Sequence, residues 1–287
     1  MGKKMKKATS LVLAFAATAA TMGMFTACET KNPKVEMKIE FAGEVYTLEY
    51  KLYRELAPAT VKHFIKLVEN EYYNGLCVHN FDKGANKMYT GAYQYDANGE
   101  DGGLVYKPYY DIVASYEDFT HTVWVDSNRT TPTYTLKGEF SANSFGVQNG
   151  SLLKQSFGSL TMQYTQKDFD DLEEVAVLRG DLKDKNAETD NKSYEYNSAT
   201  SQFSIFLSKT ETADNAHCTF ATLQEGSVSV LEALLAAIDD AYESDFVNEY
   251  VLDVDQDDLV LGDRENTATY KVPVSPIVIQ SMKVTKY

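Results

Sequence analysis

Basic side chains are scarce in this chain of 287 residues, and so are tryptophan and cysteine. Lys and Arg number 27 against 42 Asp and Glu, so the formal net charge at pH 7 is −15. A protein that binds nucleic acid presents a basic face to the phosphates, and we therefore predict no nucleic-acid partner. The same acidic balance argues against adsorption of the folded part to an anionic membrane.

Motifs for the common catalytic and metal-dependent chemistries are also missing. The chain contains no G-x-S-x-G, no H-E-x-x-H and no phosphate-binding glycine run. The acidic run at 253–258 lacks the glycine and the glutamate that a calcium-binding loop carries at its sixth and twelfth positions, and we interpret it as a solvated loop. The residues Cys77, His79, His217 and Cys218 fit no standard zinc spacing. We therefore predict neither a metal nor a cofactor.

The first 27 residues have the layout of a secretion signal. Four lysines lie among the first seven residues, and an Ala-rich apolar run from Leu11 to Ala20 follows, which is too short to be a good membrane span. The segment Phe25-Thr26-Ala27-Cys28 then resembles the lipobox of bacterial lipoproteins, with Phe25 where Leu is usual. The alternative is an ordinary cleaved signal with an unrelated Cys28.

The lipobox resemblance implies that Cys28 becomes the lipidated first residue of the mature protein, with 28–34 as a polar tether. Several acyl chains on one cysteine anchor a protein stably, so we predict a lipid anchor on the extracytoplasmic face of the cell membrane. Removal of the leader, which carries four lysines and no acid, takes the net charge from −15 to −19. Outside the cytoplasm Cys77 and Cys218 are able to pair, and the sequence leaves their pairing open.

Hydrophobic periodicity predicts many short strands and two helices. Val35 to Phe41 alternates apolar and polar side chains, which indicates a half-buried strand, and the next segment is predicted to be its hairpin partner. One amphipathic helix is predicted from Pro58 onward and a second over 229–238. The charged stretches at 165–195 and 239–265 are predicted to be loops. Together these elements favour a closed antiparallel sheet capped by helices.

The segment from Tyr50 to His79 is more specific. The run L-Y-R-E-L-A-P-A-T-V at 52–61 and the run Y-Y-N-G-L-C-V-H at 72–79 resemble the opening of the cyclophilins, the barrel-type peptidyl-prolyl cis-trans isomerases. Later family segments follow in the right order. They are K-G-E-F at 137–140, the segment 153–162, N-S-A-T-S-Q-F-S-I at 197–205, H-C-T-F-A at 217–221 and the segment 276–284.

The resemblance implies a mostly β fold, a cyclophilin-like closed antiparallel eight-stranded β-barrel capped by two α-helices, over residues 35–287. Relative to the family, the chain carries long insertions near 94–133, 166–195 and 239–270. We expect the protein to act as a monomer.

The family's reaction is rotation about an X-Pro peptide bond, whose barrier is about 20 kcal/mol. It requires a shallow apolar pocket for the proline ring and a hydrogen-bond donor aimed at the prolyl nitrogen, where a lone pair localises as the amide twists. In the family an Arg directly after the strand His supplies this donor. Here the strand His is His79 and the Arg position is Asn80, and we take these two as the candidate catalytic residues. Asn carries no charge, so it should stabilise the twisted amide less than Arg.

The resemblance assigns five further positions to substrate binding: Met88, Thr90, Gln202, Ser204 and His217. Met88, Gln202 and His217 match the family pattern. Thr90 replaces a peptide-binding Gln, and Ser204 replaces the Phe that floors the proline pocket.

Lys87 stands where the family has another pocket Phe, so most pocket positions depart from the pattern while most scaffold positions match it. Two interpretations remain open. Either isomerase activity is reduced or lost, or aromatic side chains line a different groove, namely Phe81, Tyr89, Tyr164 and Phe206.

We predict a membrane-anchored, extracytoplasmic peptidyl-prolyl cis-trans isomerase with a degenerate active site. Its partners would be proline-containing exported polypeptides, whose folding it assists, and the membrane through the lipid on Cys28. The alternative is a catalytically inactive cyclophilin-like protein that binds peptide or acts as a holdase chaperone. A third possibility is an assembly factor whose insertions make the contacts.

Overall fold

The computed structural model describes residues 31–117, 119, 121–141, 153–164, 174–179, 188–193, 197–241, 246–253 and 267–287. The predicted signal and the lipidation site Cys28 therefore lie outside the described residues. The strands and helices are, in chain order, β1 (Lys34–Phe41), β2 (Glu44–Leu52), α1 (Pro58–Glu69), β3 (Leu76–Asp82), β4 (Lys87–Tyr95), β5 (Leu104–Tyr106), α2 (Tyr109–Val113), β6 (Val123–Trp124), β7 (Leu136–Lys137), β8 (Leu160–Tyr164), β9 (Glu174–Leu178), β10 (Thr189–Ser193), β11 (Asn197–Phe206), β12 (Thr219–Leu223), α3 (Glu225–Ala241), β13 (Val247–Asp253), β14 (Thr267–Pro273) and β15 (Val278–Lys286).

The first two strands form the hairpin that the alternation predicts. Every second residue of β1 is buried, and β1 pairs with β2 from Lys34↔Lys51 to Phe41↔Glu44. The turn residues between them, Ala42 and Gly43, have φ angles of 51° and 84°. Positive φ at both residues of a two-residue turn matches the right-handed twist of the flanking strands, so the turn sets the register of the hairpin.

Eight strands close into a ring, in the order β4-β3-β15-β1-β2-β12-β8-β11. The ring closes because β11 also pairs with β4, from Phe203↔Thr90 to Phe206↔Lys87. β5 extends the sheet beside β4, and β7 extends it beside β11. The prediction of a mostly β, closed, antiparallel, eight-stranded fold is confirmed.

The two predicted helices are present and pack on this ring. α1 begins with Pro58, whose missing N–H is tolerated in a first helical turn. It buries Phe64, whose ring centroid lies between 4.9 and 5.6 Å from those of Tyr73, Phe203 and Phe220. α3 begins and ends about one turn beyond the predicted segment 229–238, and the short α2 adds a third helix within the first insertion.

The predictions of loops at 165–195 and 239–265 are wrong in part, because both stretches contain paired strands. β9 pairs with β10 and β6 and buries four consecutive apolar residues, Val175–Leu178. β13 pairs with β14 along its whole length, from Val247↔Pro273 to Asp253↔Thr267. Each apolar run is short and flanked by many charged residues, so the average composition of the stretch is polar and does not indicate a strand. The acidic residues 254–258 lie outside the described part.

The β13–β14 ribbon packs on the outer face of the ring, over β3. Its inward side chains form a second apolar cluster, separate from the main core, that consists of Cys77, Ala92, Tyr93, Leu252, Tyr270 and Val272. Cys77 lies in this cluster while Cys218 lies in the main core, and both thiols are free. Burial raises the pKa of Cys77 to about 12. Across the described ranges, no helix combines the length and apolarity needed to cross a membrane.

Candidate functional site

One row of side chains crosses four neighbouring strands on the outside of the ring. Asn80 on β3 pairs with Tyr89 on β4, Tyr89 pairs with Ser204 on β11, and Ser204 pairs with Thr161 on β8. The adjacent row belongs to the main core and consists of Phe81, Met88, Ile205 and Leu160. Successive side chains of a strand point to opposite faces, so the first four residues point outward. We call Asn80, Tyr89, Ser204 and Thr161 the outer row.

Asn80 supplies a hydrogen-bond donor with a defined direction. Its Oδ1 accepts a hydrogen bond from the backbone N–H of Lys271 on β14, at 3.1 Å. This contact fixes the orientation of the amide group and turns Nδ2 away from the ribbon. No described residue accepts a hydrogen bond from Nδ2. The half-buried side chain therefore offers an oriented and uncharged hydrogen-bond donor.

His79 lies beneath the ribbon and is only 1% exposed. Its ring packs between the rings of Tyr93 and Tyr270, with centroids 5.1 Å away on each side. Its Nδ1 is buried and has no partner among the described residues. Burial lowers the pKa of His79 to about 3, so the ring is neutral at physiological pH. The structure therefore places His79 in the packing beneath the β13–β14 ribbon.

Three of the five predicted substrate-binding residues are buried and lie outside the outer row. Met88 is in the main core. Thr90 is fully buried and its Oγ1 donates to the backbone oxygen of Cys77 at 2.8 Å. Gln202 is 4% exposed, and its Nε2 is an orphaned donor within the described structure. The strand register puts Met88 opposite Phe81, and this pairing turns it inward.

Ser204 lies in the outer row and makes its surroundings polar. It is fully buried, and its hydroxyl accepts a hydrogen bond from Gln163 Nε2 at 3.2 Å. The neighbouring hydroxyl, Thr161 Oγ1, shares a 3.0 Å hydrogen bond with Thr219 Oγ1. Two hydroxyls and an amide therefore meet at this part of the outer row. A proline ring would lose apolar contact area here and would bury polar groups instead.

His217 is tied to the outer row by a polar network. Its Nδ1 lies 2.8 Å from Asp214 Oδ2. Gln155 Nε2 donates to Asp214 Oδ2 at 2.9 Å and to Thr161 Oγ1 at 3.4 Å. Burial raises the pKa of Asp214, but the hydrogen bond and charge of His217 outweigh this, and the pKa lies below its usual range. The carboxylate therefore holds the imidazole in place beside the outer row.

Lys87 and Tyr89 border the same surface. Burial lowers the pKa of Lys87, while the charge of Asp214 raises it. Burial raises the pKa of Tyr89, with further contributions from the charges of Asp82 and Asp214. Where the family pattern has an aromatic pocket residue, this chain presents a partly desolvated ammonium group near a carboxylate. The surface accordingly carries charged and polar groups beside the Tyr89 ring.

Of the four aromatic residues predicted to line a different groove, only Tyr89 lies in the outer row. Phe81 and Phe206 are 3% and 5% exposed. The side chain of Tyr164 lies outside the described structure. The sequence thus predicts the aromatic content of this region but not which rings face outward.

Several residues of the site carried no sequence signal. Gln163 joins Ser204 across 41 residues, and Lys271 joins Asn80 across 191. Lys271 Nζ also lies 3.0 Å from Asp82 Oδ1, and this hydrogen bond lowers the pKa of Asp82. Asp214 and His217, three residues apart, are the local pair in this network that the sequence could have indicated.

Comparison with known proteins identifies the family. The family model described as cyclophilin type peptidyl-prolyl cis-trans isomerase matches residues 34–251. This match spans most of the chain, which therefore belongs to the cyclophilin-type peptidyl-prolyl cis-trans isomerase family. No curated protein sequence matches the chain significantly.

Solved structures of cyclophilins resemble the chain at low identity. A cyclophilin type peptidyl-prolyl cis-trans isomerase of Cryptosporidium parvum is 15% identical, with a TM-score of 0.42 over 89% of this chain and 99% of that one. The Mimivirus cyclophilin is also 15% identical, with a TM-score of 0.42 over 90% of this chain and 91% of that one. The Cryptosporidium parvum protein studied with the dipeptide Ala-Pro gives a TM-score of 0.41 at 15% identity, over 88% and 99% of the two chains.

Proposed function

We propose that this protein is a membrane-anchored, extracytoplasmic peptidyl-prolyl cis-trans isomerase with a degenerate active site, and that it assists the folding of exported proteins. The observation that carries the catalytic part is the Asn80 amide. Its oxygen is held by the backbone N–H of Lys271, so its Nδ2 donor is oriented before a substrate arrives. A donor fixed in advance stabilises a developing lone pair without reorganisation during the reaction.

Catalysis by Asn80 should be weaker than catalysis by the family's Arg. A hydrogen bond from a charged donor is stronger than one from a neutral amide by about 1 kcal/mol. If this stabilisation is missing only from the transition state, the barrier rises by the same amount and the reaction slows by about fivefold to tenfold. The polar surroundings of Ser204 weaken binding of the proline ring as well, because they replace apolar contact.

The second candidate function is peptide binding without catalysis, as a holdase. It is favoured by the hydrogen bond that Gln163 donates to Ser204, since a satisfied polar floor gives a proline ring no apolar recess. The outer row would then bind extended polypeptide through hydrogen bonds from Asn80, Tyr89 and the His217 network. Both candidates bind polypeptide, but only the isomerase accelerates cis/trans exchange of its X-Pro bonds.

One exchange experiment separates them. The mature domain is added to a short Ala-Pro peptide, and cis/trans exchange is measured by NMR exchange spectroscopy. Asn80→Asp is the matched variant, because a carboxylate keeps the acceptor for Lys271 N–H but lacks the donor. We expect wild type to accelerate exchange, Asn80→Asp to abolish the acceleration and Asn80→Arg to raise it.

Thermal midpoints of both variants close to that of wild type would show that the fold is retained. Exchange no faster than in buffer, with binding still visible as peptide line broadening, would remove the isomerase and leave the holdase. Ser204→Phe, which restores the aromatic floor, should increase exchange further in the Asn80→Arg background. If Ser204→Phe lowers the thermal midpoint below that of wild type, Ser204→Leu takes its place as the apolar substitution.

The anchoring part of the proposal rests on the leader and on Cys28. Lipidation would hold the domain at the membrane surface where exported chains emerge. Mass spectrometry of the protein purified from membranes should find acyl chains on Cys28, and Cys28→Ala should release the protein into the soluble fraction. An unmodified Cys28 in the membrane fraction would contradict the lipid anchor but leave the isomerase proposal intact.

A further inference from the structure

Three lysines stand side by side on the outside of the ring, on three neighbouring strands. Lys34 on β1 pairs with Lys51 on β2 and with Lys286 on β15. Val35 next to Lys34 is fully buried, so Lys34 points outward. We call Lys34, Lys51 and Lys286 the lysine row. Like charges directly opposite one another destabilise a sheet, so an anionic partner would relieve this arrangement.

Among the residues that the structure describes, the lysine row has no acidic partner. Lys51 Nζ lies 4.8 Å from the centre of the Tyr53 ring, and no acidic side chain of the described ranges forms an ion pair with Lys34, Lys51 or Lys286. Other lysines nearby do find acids, since Lys283 Nζ lies 3.0 Å from Glu36 Oε1. The lysine row is therefore a local cationic surface on a protein whose net charge is strongly negative.

The chain enters the fold at this same end. Lys31 O accepts a hydrogen bond from Arg54 N at 3.2 Å, and Pro33 O accepts one from Leu52 N at 2.8 Å. Lys31 Nζ also lies 2.8 Å from Glu55 Oε1. Only two residues separate Lys31 from Cys28 in the sequence. Three virtual bonds of 3.8 Å allow a reach of about 11 Å, so an acylated Cys28 would keep this end of the ring at the headgroups.

We propose that the lysine row is a lipid-facing surface that contacts anionic phospholipid headgroups and so orients the anchored domain. This inference rests on the lipid anchor proposed above. Each lysine near an anionic surface favours contact about fivefold. The mature chain has a net charge near −19, so orientations that bring its acidic surface toward the membrane are disfavoured. The overall acidity that argues against adsorption thus acts here to select one orientation.

The contact surface is confined to the tether end. Two residues along β1, Glu36 faces Glu49 on β2 and forms an ion pair with Lys283 on β15, so acidic side chains interrupt the positive charge there. The anionic bilayer would attract the lysine row more strongly than this mixed part of the face. The domain should therefore stand on its tether end with its strands inclined away from the membrane.

This orientation decides where the candidate site faces. In the ring order β4-β3-β15-β1-β2-β12-β8-β11, β1 lies four positions from β11 in either direction. The lysine row is centred on β1, and the outer row crosses β3, β4, β11 and β8. The two surfaces are on opposite sides of the ring, so a domain held by its lysine row presents Asn80 and Tyr89 away from the lipid, toward exported chains.

The test uses the full lipidated chain in nanodiscs. A fluorophore is placed on a cysteine introduced at Thr285, beside the lysine row, or at Ala85, in the β3–β4 turn; Cys77 and Cys218 are buried and should not react. Headgroup-bound quencher reports proximity to lipid. We expect the Thr285 label to be quenched several-fold more than the Ala85 label in discs containing phosphatidylglycerol. The ratio should fall in pure phosphatidylcholine and at high salt to the lower value that the tether alone sets.

The triple variant Lys34→Glu, Lys51→Glu, Lys286→Glu should lower the quenching ratio in anionic discs to the value seen in pure phosphatidylcholine. The matched control carries the same charge change at Lys83, Lys154 and Lys209, which form exposed ion pairs elsewhere, and should keep the wild-type ratio. Equal quenching of both labels in anionic discs, or an unchanged ratio in the lysine-row triple, overturns the inference while the anchor stands. Absence of acyl chains on Cys28 by mass spectrometry overturns the anchor itself, and the orientation with it.

Discussion

Acidification should destabilise the fold through His79. The imidazole is fully buried between Tyr93 and Tyr270, and its Nδ1 has no partner among the described residues. A charged imidazolium in this place would lose its hydration and gain no hydrogen bond to Nδ1. The folded protein therefore keeps His79 neutral, while the unfolded chain is free to bind the proton.

The size of the effect follows from the two pKa values. Burial lowers the pKa of His79 to about 3 in the folded state, from 6.5. Above pH 6.5 neither state binds the proton and stability does not change. Below it the unfolded state gains a proton, so stability falls by about 1.4 kcal/mol per pH unit until the folded pKa is reached. Between pH 7 and pH 5 the loss should be about 2 kcal/mol.

The assay is urea unfolding of wild type and His79→Phe at pH 7 and pH 5. Phe keeps a planar ring between the two tyrosines and cannot bind a proton. The free energy of unfolding should fall between the two pH values by about 2 kcal/mol less in the variant than in wild type. All other titrating groups are shared, so the difference isolates His79. His121→Phe is the matched control, because His121 is less buried than His79. In this control the free energy of unfolding should still fall between pH 7 and pH 5 by nearly as much as in wild type.

An equal pH dependence in wild type and His79→Phe would refute the reasoning. It would mean that His79 is hydrated or partnered, and that the surface under the β13–β14 ribbon is open. His79 would then be accessible to a peptide, as the family resemblance implies.

Three other substitutions test the packing around the site. Glu139→Gln should cost about 1–3 kcal/mol in urea unfolding, because Glu139 accepts hydrogen bonds from the N–H groups of Ala59 and Thr60 at the start of α1, at 3.0 and 2.8 Å; an unchanged midpoint would show that this cap is dispensable. Gly91→Ala should lower the thermal midpoint or prevent folding, since the added Cβ would lie 2.5 Å from Ser201 O at a φ of +107°; a soluble variant of wild-type stability would contradict the close approach of β4 and β11. Lys209→Ala, which removes an exposed ion pair with Glu232, should change the free energy of unfolding by less than about 1 kcal/mol; a larger loss would reveal a role beyond the surface pair.

Strand register decided the part of the site that the sequence did not predict. Met88 and Thr90 match or replace family pocket residues by alignment, yet both side chains are fully buried. Irregular pairing between β3 and β4, with register shifts beside Val78, settles which residues of β4 face outward. A shift of one residue reverses the face of every side chain that follows it, so spacing alone cannot assign these positions.

The sequence by itself determined the local elements and the family. Alternation produced the β1–β2 hairpin, an amphipathic run after Pro58 produced α1, and ordered segments from Tyr50 onward indicated the closed ring. The family resemblance also predicts that Asn80 stands where the family has its Arg. These features depend on neighbouring residues or on the order of segments along the chain, and a single amino-acid sequence contains both.

Only the tertiary structure decided what surrounds Asn80. Lys271, Gln163 and Asp214 reach the site from distant segments. The stretch expected to be a loop supplies β13, which pairs with β14, and Tyr270 and Lys271 of β14 cover His79 and orient Asn80. The lysine row likewise exists only because β2, β1 and β15 are adjacent. Such contacts arise when ring closure and ribbon packing bring together residues up to 191 positions apart, as for Asn80 and Lys271, and no local pattern encodes that distance.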